Sequence, residues 1–330
     1  MIVSLVLPVR NGEWCLPYSL ESLLSQTRQP DEILICIGKC TDNTEKIVLD
    51  FQKRCPVPTV ILYDREGIGT GYAMKILTER AMGDVVLWID ADHIKPKDWV
   101  YQIVKYFEDD PDLVYLRERG EENSSSSMSY FKPPETEYIR SITYDTKHYI
   151  SPSGMMAFKR DNVINVGNFD PLFVRGQDLD MTVRLIFSNS KGGVCTPYGH
   201  HFGVNGQKNM WKPLKTPTFF KFIYKYGWRY CFIDRYGFFA LLLRSTFIFS
   251  TLSLIFSIIL KNPPIFLLSI LGLFTFITGF FLGFKIEKRK LTFNILLVQI
   301  LSGVGEYYQI YCLLTKEDKP RLGYGVKWIK

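Results

Sequence analysis

The first part of the chain alternates between short apolar runs and segments whose apolar positions have helical spacing. The opening run, Ile2 to Leu7, has the length and composition of a buried strand and ends at Pro8. Pro17 follows at a position that suits the first turn of a helix. The next apolar positions fall on one helical face: Leu16, Leu20, Leu23 and Leu24. The pattern predicts a strand followed by a helix.

This alternation continues as far as Tyr106. Asp42 and Glu45 are the expected capping pair of a second helix. A glycine loop, with glycines at 67, 69 and 71, leads into a third helix, and a fourth is predicted from Lys95. Strands are predicted before these helices over Glu32–Ile37, Val60–Tyr63 and Val85–Asp90. Repeated strand–helix units predict an α/β fold, with a mostly parallel sheet and helices on both faces.

Beyond residue 212 the pattern changes to long apolar segments. Residues 213–236 mix aromatic and basic side chains, as in an amphipathic helix at the headgroup layer of a membrane. Phe238–Leu260 and Pro263–Phe284 each approach the ~20 residues that a spanning helix requires. Leu291–Leu314 contains Glu306, so it is either a span with a buried acid or an interfacial helix. Buried helices of a soluble domain are the alternative.

We therefore expect a domain over residues 1–212, an interfacial segment over 213–236, two to three transmembrane helices within 237–315 and a basic tail over 316–330. The positive-inside rule keeps the basic cluster in the cytosol: Lys285, Lys288, Arg289 and Lys290. The same rule disfavours a third full span, which would move the tail outward. The prediction is a multi-pass protein of the cell membrane whose N-terminal domain lies on the cytoplasmic side.

Charge and cysteine content narrow the class of protein. The net charge of +7 is concentrated after residue 205, interleaved with aromatic side chains, which indicates membrane lipids as partners and not nucleic acid. The seven cysteines are odd in number and form no CxxC pair, so neither a disulfide framework nor a zinc site is indicated. The sequence assigns no oligomeric state.

Two carboxylates follow the fourth predicted strand. Asp90 and Asp92 stand one residue apart at its end, with His93 beside them. Ligands of open α/β sheets bind at the carboxyl ends of the strands, and paired carboxylates hold a hard divalent cation that neutralises a diphosphate. The alternative is that both acids are turn or capping residues before the next helix. The glycine loop is a weaker signal, for a phosphate contact or for a plain turn.

Four ordered blocks between Met1 and Leu185 carry a family resemblance. They read "SLVLPVRNGEWCLPYSLESLLSQTRQPDEILI", "TDNT", "GIGTGYAMKILTERAMGDVVLWIDADHIKPKDWV" and "GMMAFKRDNVINVGNFDPLFVRGQDLDMTVRL". Together they resemble glycosyltransferase family 2, the inverting enzymes of the GT-A fold. The resemblance implies a nucleotide-sugar donor, a metal ion such as Mg²⁺ or Mn²⁺ near Asp90 and Asp92, and a catalytic base in "GQDLD". The donor-binding positions that it implies are Pro8, Asn11, Gly69, Asp90 and Gln177.

The chemistry of glycosyl transfer assigns roles to these acids. Displacing a nucleotide diphosphate requires a cation on the leaving oxygens and a carboxylate that removes the acceptor's proton. Asp178 is the predicted base, and a helix N-cap is its alternative role. Asp180, the second acid of the motif, is the less favoured base and is expected to support the helix. His201 is predicted as a further metal contact, although a structural histidine is an equal alternative.

Some positions depart from the family pattern. Ile37 and Gly38 stand where an acidic pair is usual, Arg10 stands in place of an aromatic residue, and Gln177 in place of Glu. The main hypothesis is a metal-dependent transferase that acts on a lipid-linked or cell-surface glycan acceptor. The alternative is a catalytically degenerate GT-A-like binding subunit of a membrane glycan-assembly complex. A small transporter component is a third class, with little in the sequence to form a pathway.

Overall fold

The structure is a computed structural model, and it describes residues 1–118, 142–143, 156–171, 173, 176–195, 200–201, 235–261 and 263–287. Side chains are described for these residues except 118, 142–143, 156, 194–195, 200–201, 235–241, 243–244 and 276–287. The chain divides into two compact units, which lie within Met1–Asn205 and within Gly206–Tyr324. The domain boundary predicted at residue 212 lies outside the described residues.

The N-terminal unit is built on a twisted sheet whose strands are rich in valine, isoleucine and leucine. Its first four strands are β1 (Val3–Val9), β2 (Glu32–Gly38), β3 (Thr59–Asp64) and β4 (Val85–Trp88). The remaining strands are β5 (His93–Ile94), β6 (Leu113–Glu118), β7 (Ile142–Thr143), β8 (Met156–Lys159), β9 (Lys191–Cys195) and β10 (His200–His201).

The order and direction of the strands determine which strands have their carboxyl ends at the same edge of the sheet. Eight strands form one sheet in the order β3-β2-β1-β4-β8-β6-β9-β7, and β5 pairs with β10 separately. The first four strands of that order are mutually parallel, so the predicted mostly parallel sheet is confirmed. The strand β8 runs antiparallel to both β4 and β6, which makes β6 parallel to β4. The carboxyl ends of β1, β2, β3, β4 and β6 therefore share one edge.

Helices cover both faces of this sheet, as the sequence predicts. They are α1 (Leu16–Leu24), α2 (Thr44–Arg54), α3 (Thr70–Arg80), α4 (Trp99–Asp109), α5 (Arg160–Asn165) and α6 (Gln177–Phe187). Alternate residues of β1 point to opposite faces. Leu5 packs into a core with α1, α2 and α4, whereas Val6 packs into a second core with α3, α5 and α6.

Three local predictions need correction. The N-cap position of the second helix is Asn43, whose side chain makes no capping hydrogen bond, while Asp42 accepts hydrogen bonds from the backbone N–H and the hydroxyl of Thr44, the first residue of the helix. The fourth helix begins at Trp99 and not at Lys95, because Pro96 and the residues after it form a turn. The fourth strand ends at Trp88, two residues earlier than predicted, which leaves Asp90 in the loop that follows.

The C-terminal unit contains two long helices, α7 (Arg235–Ile259) and α8 (Pro263–Glu287), in agreement with two of the predicted helical segments. Small residues lie where the two helices pack together: Ser250 and Ser269 are buried, and a Cβ at Gly272 would overlap Ser250 Oγ. Large apolar side chains point outward, and Phe256 and Leu267 are 59% and 66% exposed.

Across the described stretches, no helix combines the length and the apolar character that crossing a bilayer demands. The prediction of two to three transmembrane helices in residues 237–315 therefore receives no support from them. The interfacial segment 213–236 is outside the described residues apart from its last two, and so are the third apolar segment and the basic tail.

Candidate active site

The predicted metal site lies at the carboxyl end of β4. One potential ligand atom from each of Asp90, Asp92 and His93 lies within 4.8 Å of the others. Among the described residues, no other group of three such side chains lies this close together. Asp90 Oδ1 accepts a hydrogen bond from Trp88 Nε1 at 3.1 Å, and Asp92 Oδ1 lies 3.1 Å from His93 Nδ1. These contacts fix both carboxylates to the end of the strand. Neither acid caps α4, whose N-cap is Asp98, so the capping part of the alternative is wrong. The turn part is confirmed, because the His93 N–H donates to the Asp90 backbone oxygen at 3.2 Å.

The histidine in this group is His93, which the sequence reasoning noted but did not assign as a ligand. Its side chain is buried, and its backbone pairs with His201 in the short ladder of β5 and β10. The predicted ligand His201 therefore lies at the register position opposite His93, while its side chain is outside the described residues. The proximity of His93 to Asp92 in the chain was the signal that should have identified it.

The donor set fits a hard divalent cation. Two carboxylates supply oxygen ligands, and an imidazole nitrogen is compatible with Mn²⁺ as well as Zn²⁺. The nearby Cys15 thiol is not a thiolate that could act as a further metal ligand. Burial, and secondarily the charge of Asp92, raises its pKa to about 12.

Asp178 lies in the first turn of α6, and its partner is an arginine that sequence reasoning missed. Arg117 Nη2 on β6 donates to Asp178 Oδ2 at 3.0 Å, and the Arg117 side chain is only 1% exposed. Burial raises the pKa of Asp178 above the usual carboxyl range, although the charge of Arg117 opposes this. The helix N-cap is Gly176, with a φ of +78°, so the capping alternative for Asp178 is wrong.

The two acids of "GQDLD" have different surroundings. Asp180 is fully buried, and its Oδ2 accepts hydrogen bonds from Arg184 Nη2 at 2.7 Å and from Arg184 Nε at 3.1 Å. Arg184 Nη1 also donates to the backbone oxygens of Val166 and Asn168. Asp180 is thereby tied to the packing of α6. Asp178, with 14% of its side chain exposed, is the acid that retains access to solvent.

Topology brings Asp178 and the acidic pair to the same edge. Arg117 is the next-to-last residue of β6, which is parallel to β4 and separated from it by β8. Neighbouring strands lie ~4.8 Å apart, so the ends of β4 and β6 are roughly 10 Å apart. The acidic group after β4 and the Arg117–Asp178 pair on β6 therefore lie at the same edge of the sheet.

The other residues predicted to bind the donor have different surroundings in the structure. Gln177 lies next to Asp178, and its Oε1 is buried without a hydrogen-bond partner among the described residues. Gly69 caps α3, but its N–H is taken by Asp64 Oδ2 at 2.9 Å. Pro8 lies within β1, one residue from its end. Asn11 has a φ of +52° and accepts a hydrogen bond from the Thr41 N–H at 2.8 Å, which joins two loops at this edge.

Asp64 is a further residue that sequence reasoning missed. It is the last residue of β3, is 3% exposed, and accepts hydrogen bonds at 2.9 Å from the N–H groups of Ile68 and Gly69. Its carboxylate therefore shapes the glycine loop that the sequence identified. An acid between an apolar strand and a glycine-rich loop was the available signal, since aspartate side chains commonly bind backbone N–H groups a few residues ahead.

The N-terminal part of the chain is similar to known proteins. Residues 4–166 match the family described as Glycosyl transferase family 2. The glucosyl-dolichyl phosphate glucuronosyltransferase of Haloferax volcanii is 26% identical over 159 residues, which cover 46% of this chain and 50% of that protein. The undecaprenyl-phosphate 4-deoxy-4-formamido-L-arabinose transferase of Pectobacterium carotovorum is 28% identical over 115 residues, which cover 34% of this chain and 35% of that protein. The match thus spans half or less of the length of these curated relatives.

A solved structure shares the fold. The crystal structure of GalNAc-T7 with UDP, GalNAc and Mn²⁺ aligns with a TM-score of 0.52 at 14% identity, and the alignment covers 63% of this chain and 44% of that chain. At this identity the likeness concerns the fold alone. Residues 4–166, which include the acidic cluster, thus match Glycosyl transferase family 2, and this part of the chain resembles a glycosyltransferase domain.

Proposed function

We propose that the protein is a metal-dependent, inverting glycosyltransferase that moves a sugar from a nucleotide-sugar donor to a lipid-linked or cell-surface glycan acceptor at a membrane. The observation that carries the proposal is the grouping of Asp90, Asp92 and His93 at the carboxyl end of β4. Asp178 shares that edge of the sheet through its contact with Arg117. Inversion follows from the family resemblance together with a single candidate base.

Asp90, Asp92 and His93 would hold the metal ion, Mg²⁺ or Mn²⁺. When bound, the ion supplies charge stabilisation for the diphosphate leaving group. The protein's own contribution is to hold the two carboxylates at the strand end through Trp88 and His93. His201, whose backbone pairs with His93, is proposed as an additional contact at the same place.

Asp178 is proposed as the base that takes the proton of the acceptor hydroxyl. Burial raises its pKa, which makes the carboxylate a better proton acceptor than an exposed aspartate. The charge of Arg117 opposes this rise in pKa, and its hydrogen bond orients the carboxylate. The buried acceptor Gln177 Oε1 beside it is available for a hydroxyl group of the donor or the acceptor.

The nature of the acceptor is inferred from the relatives and from the C-terminal unit. The names of the two relatives contain dolichyl phosphate and undecaprenyl-phosphate, which are both polyprenyl phosphates. The helices α7 and α8 place small residues between them and large apolar residues outside, an arrangement typical of helices that face lipid. We therefore propose a lipid-linked acceptor and a cell-membrane location, with the catalytic domain on the cytoplasmic side.

The test is metal-dependent hydrolysis of nucleotide sugars by the full-length protein in detergent. We expect turnover that EDTA abolishes, that Mn²⁺ or Mg²⁺ restores, and that Asp92→Asn removes. Asp109→Asn is the matched control, because Asp109 is an exposed acid at the far end of α4. Turnover that is independent of metal or unchanged in Asp92→Asn would contradict the metal site. Metal-dependent donor binding without any turnover would favour the catalytically degenerate binding subunit.

A further inference from the structure

Two basic side chains and two glycines meet at the carboxyl ends of β1, β2 and β3. Arg10 follows β1, and Lys39 follows β2. A Cβ built on Gly38 would lie 3.1 Å from Arg10 Cβ, and one built on Gly67 would lie 3.3 Å from Lys39 Cβ and 4.0 Å from Arg10 Nη1. The Arg10 side chain therefore crosses the end of β2 at Gly38 and brings its guanidinium beside Lys39 and the glycine loop.

The glycine loop lies beside these two basic residues, and hydrogen bonds hold its conformation. Gly67 has a φ of +70°, which favours glycine, and Asp64 binds the N–H groups of the two residues after it. A side chain at Gly67 would meet both Arg10 and Lys39. The absence of a side chain at Gly67 thus leaves room beside the loop for the stem of Lys39 and the guanidinium of Arg10.

Neither cation has a protein partner in the part of the chain that the structure describes. No hydrogen bond or ion pair of Arg10 or Lys39 is present there, and both side chains are exposed. The nearest acid on the same loop, Glu66, is also exposed and forms no ion pair with them. Asp64 is buried and is committed to the loop amides. The cluster therefore presents hydrogen-bond donors and positive charge to a ligand.

The position of the cluster relative to Asp90 and Asp92 indicates which part of a donor it would meet. The strand β1 lies between β4 and β2, so the ends of β2 and β3 are two and three strand spacings, roughly 10 and 14 Å, from the end of β4. On the other side of β4, the antiparallel β8 presents its amino end. A donor whose diphosphate lies at Asp90 and Asp92 therefore extends its nucleoside over β1 to β3, towards Arg10.

We propose that Arg10 and Lys39 are the specificity-determining residues for the donor's base, and that they select a base with two adjacent hydrogen-bond acceptors. This rests on the proposed function. A guanidinium has five N–H donors and no acceptor. It pairs bidentately with guanine O6 and N7, and cytosine offers an adjacent pair in O2 and N3. Uracil has an N3–H group between its two carbonyl groups. This N–H would face an N–H donor of the guanidinium and would remain without a hydrogen-bond partner.

The experiment is calorimetric titration of the full-length protein in detergent and Mn²⁺ with GDP, CDP and UDP. We expect GDP or CDP to bind about fivefold or more tightly than UDP, the lower limit for one bidentate pair. Arg10→Met, which keeps the stem of the side chain, should reduce this preference to within about twofold. Lys39→Met should weaken the preferred nucleotide by a smaller factor. The charge-matched control is Arg54→Met at the far end of α2, which should change nothing.

Three outcomes separate this inference from the proposed function. UDP binding as tightly as GDP and CDP would overturn the base selection while the nucleotide-sugar function stands. An equal loss for all three nucleotides in Arg10→Met would also overturn it, because that result indicates general attraction to the diphosphate. If none of the nucleotides binds the wild-type protein with Mn²⁺, the proposed function fails and the base selection fails with it.

Discussion

The clearest separation of structural from catalytic roles concerns Asp180, and we predict that Asp180→Asn lowers stability. Asp180 is fully buried and receives two hydrogen bonds from Arg184 on the same helix, α6. Arg184 in turn donates to the carbonyl groups of Val166 and Asn168, beyond the end of α5. The ion pair thereby fastens α6, the helix that carries Asp178, to the rest of the domain.

The expected magnitude follows from the burial of the pair. Removing one partner of a buried ion pair costs about 3–5 kcal/mol, because the other charge is left uncompensated. Arg184 is 15% exposed and keeps its two carbonyl acceptors, so the lower end of that range, about 3 kcal/mol, is expected. For a domain of this size, 1 kcal/mol shifts the melting temperature by about 2–4 °C, so the shift should be about 6–12 °C.

The assay is thermal unfolding of the full-length protein, followed by intrinsic fluorescence. Trp88 and Trp99 are buried in the same unit and report on its packing. Adding Arg184→Met to Asp180→Asn should lower the melting temperature further, because the carbonyl groups of Val166 and Asn168 then lose their donor as well. A melting temperature within about 2 °C of wild type would refute the reasoning. Lost turnover at unchanged stability would exchange the roles of Asp180 and Asp178.

Three further predictions concern the same edge of the sheet. Asp178→Asn should lower kcat by about a hundredfold or more while nucleotide and metal affinities stay near wild type, as measured by initial rates and titration; normal turnover would exclude it as the base. Activity should fall as the pH drops through the pKa of Asp178. Arg117→Met should move this acid limb of the pH–activity profile to higher pH, because the charge of Arg117 lowers that pKa. An acid limb that does not move would assign the titration to another group. Gly71→Ala should lower stability by about 1–3 kcal/mol, since its Cβ would overlap the backbone oxygens of Asp170 and Phe173; an unchanged melting curve would show that this contact is loose.

Local patterns in the sequence predicted the elements of the N-terminal unit and the position of its acidic pair. Apolar runs and helical spacing are properties of neighbouring residues, so β1 to β4 and the helices α1 to α3 were predicted to within a few residues. Repeated strand–helix units imply parallel strands, and parallel strands share an edge. The site at Asp90 and Asp92 followed from that edge without any knowledge of side-chain contacts.

Contacts between side chains that are far apart in the chain could not be predicted in this way. Arg117 and Asp178 are 61 positions apart, and β8 must lie between β4 and β6 before they can form an ion pair at the catalytic edge. Glu32 is the first residue of β2, and its side chain is nevertheless buried. Its carboxylate accepts hydrogen bonds from the Ser4 hydroxyl and from the Met82 N–H. Such contacts depend on strand order and register, which no local pattern encodes. The same physics brings Arg10 and Lys39 together, since only folding aligns the ends of β1 and β2.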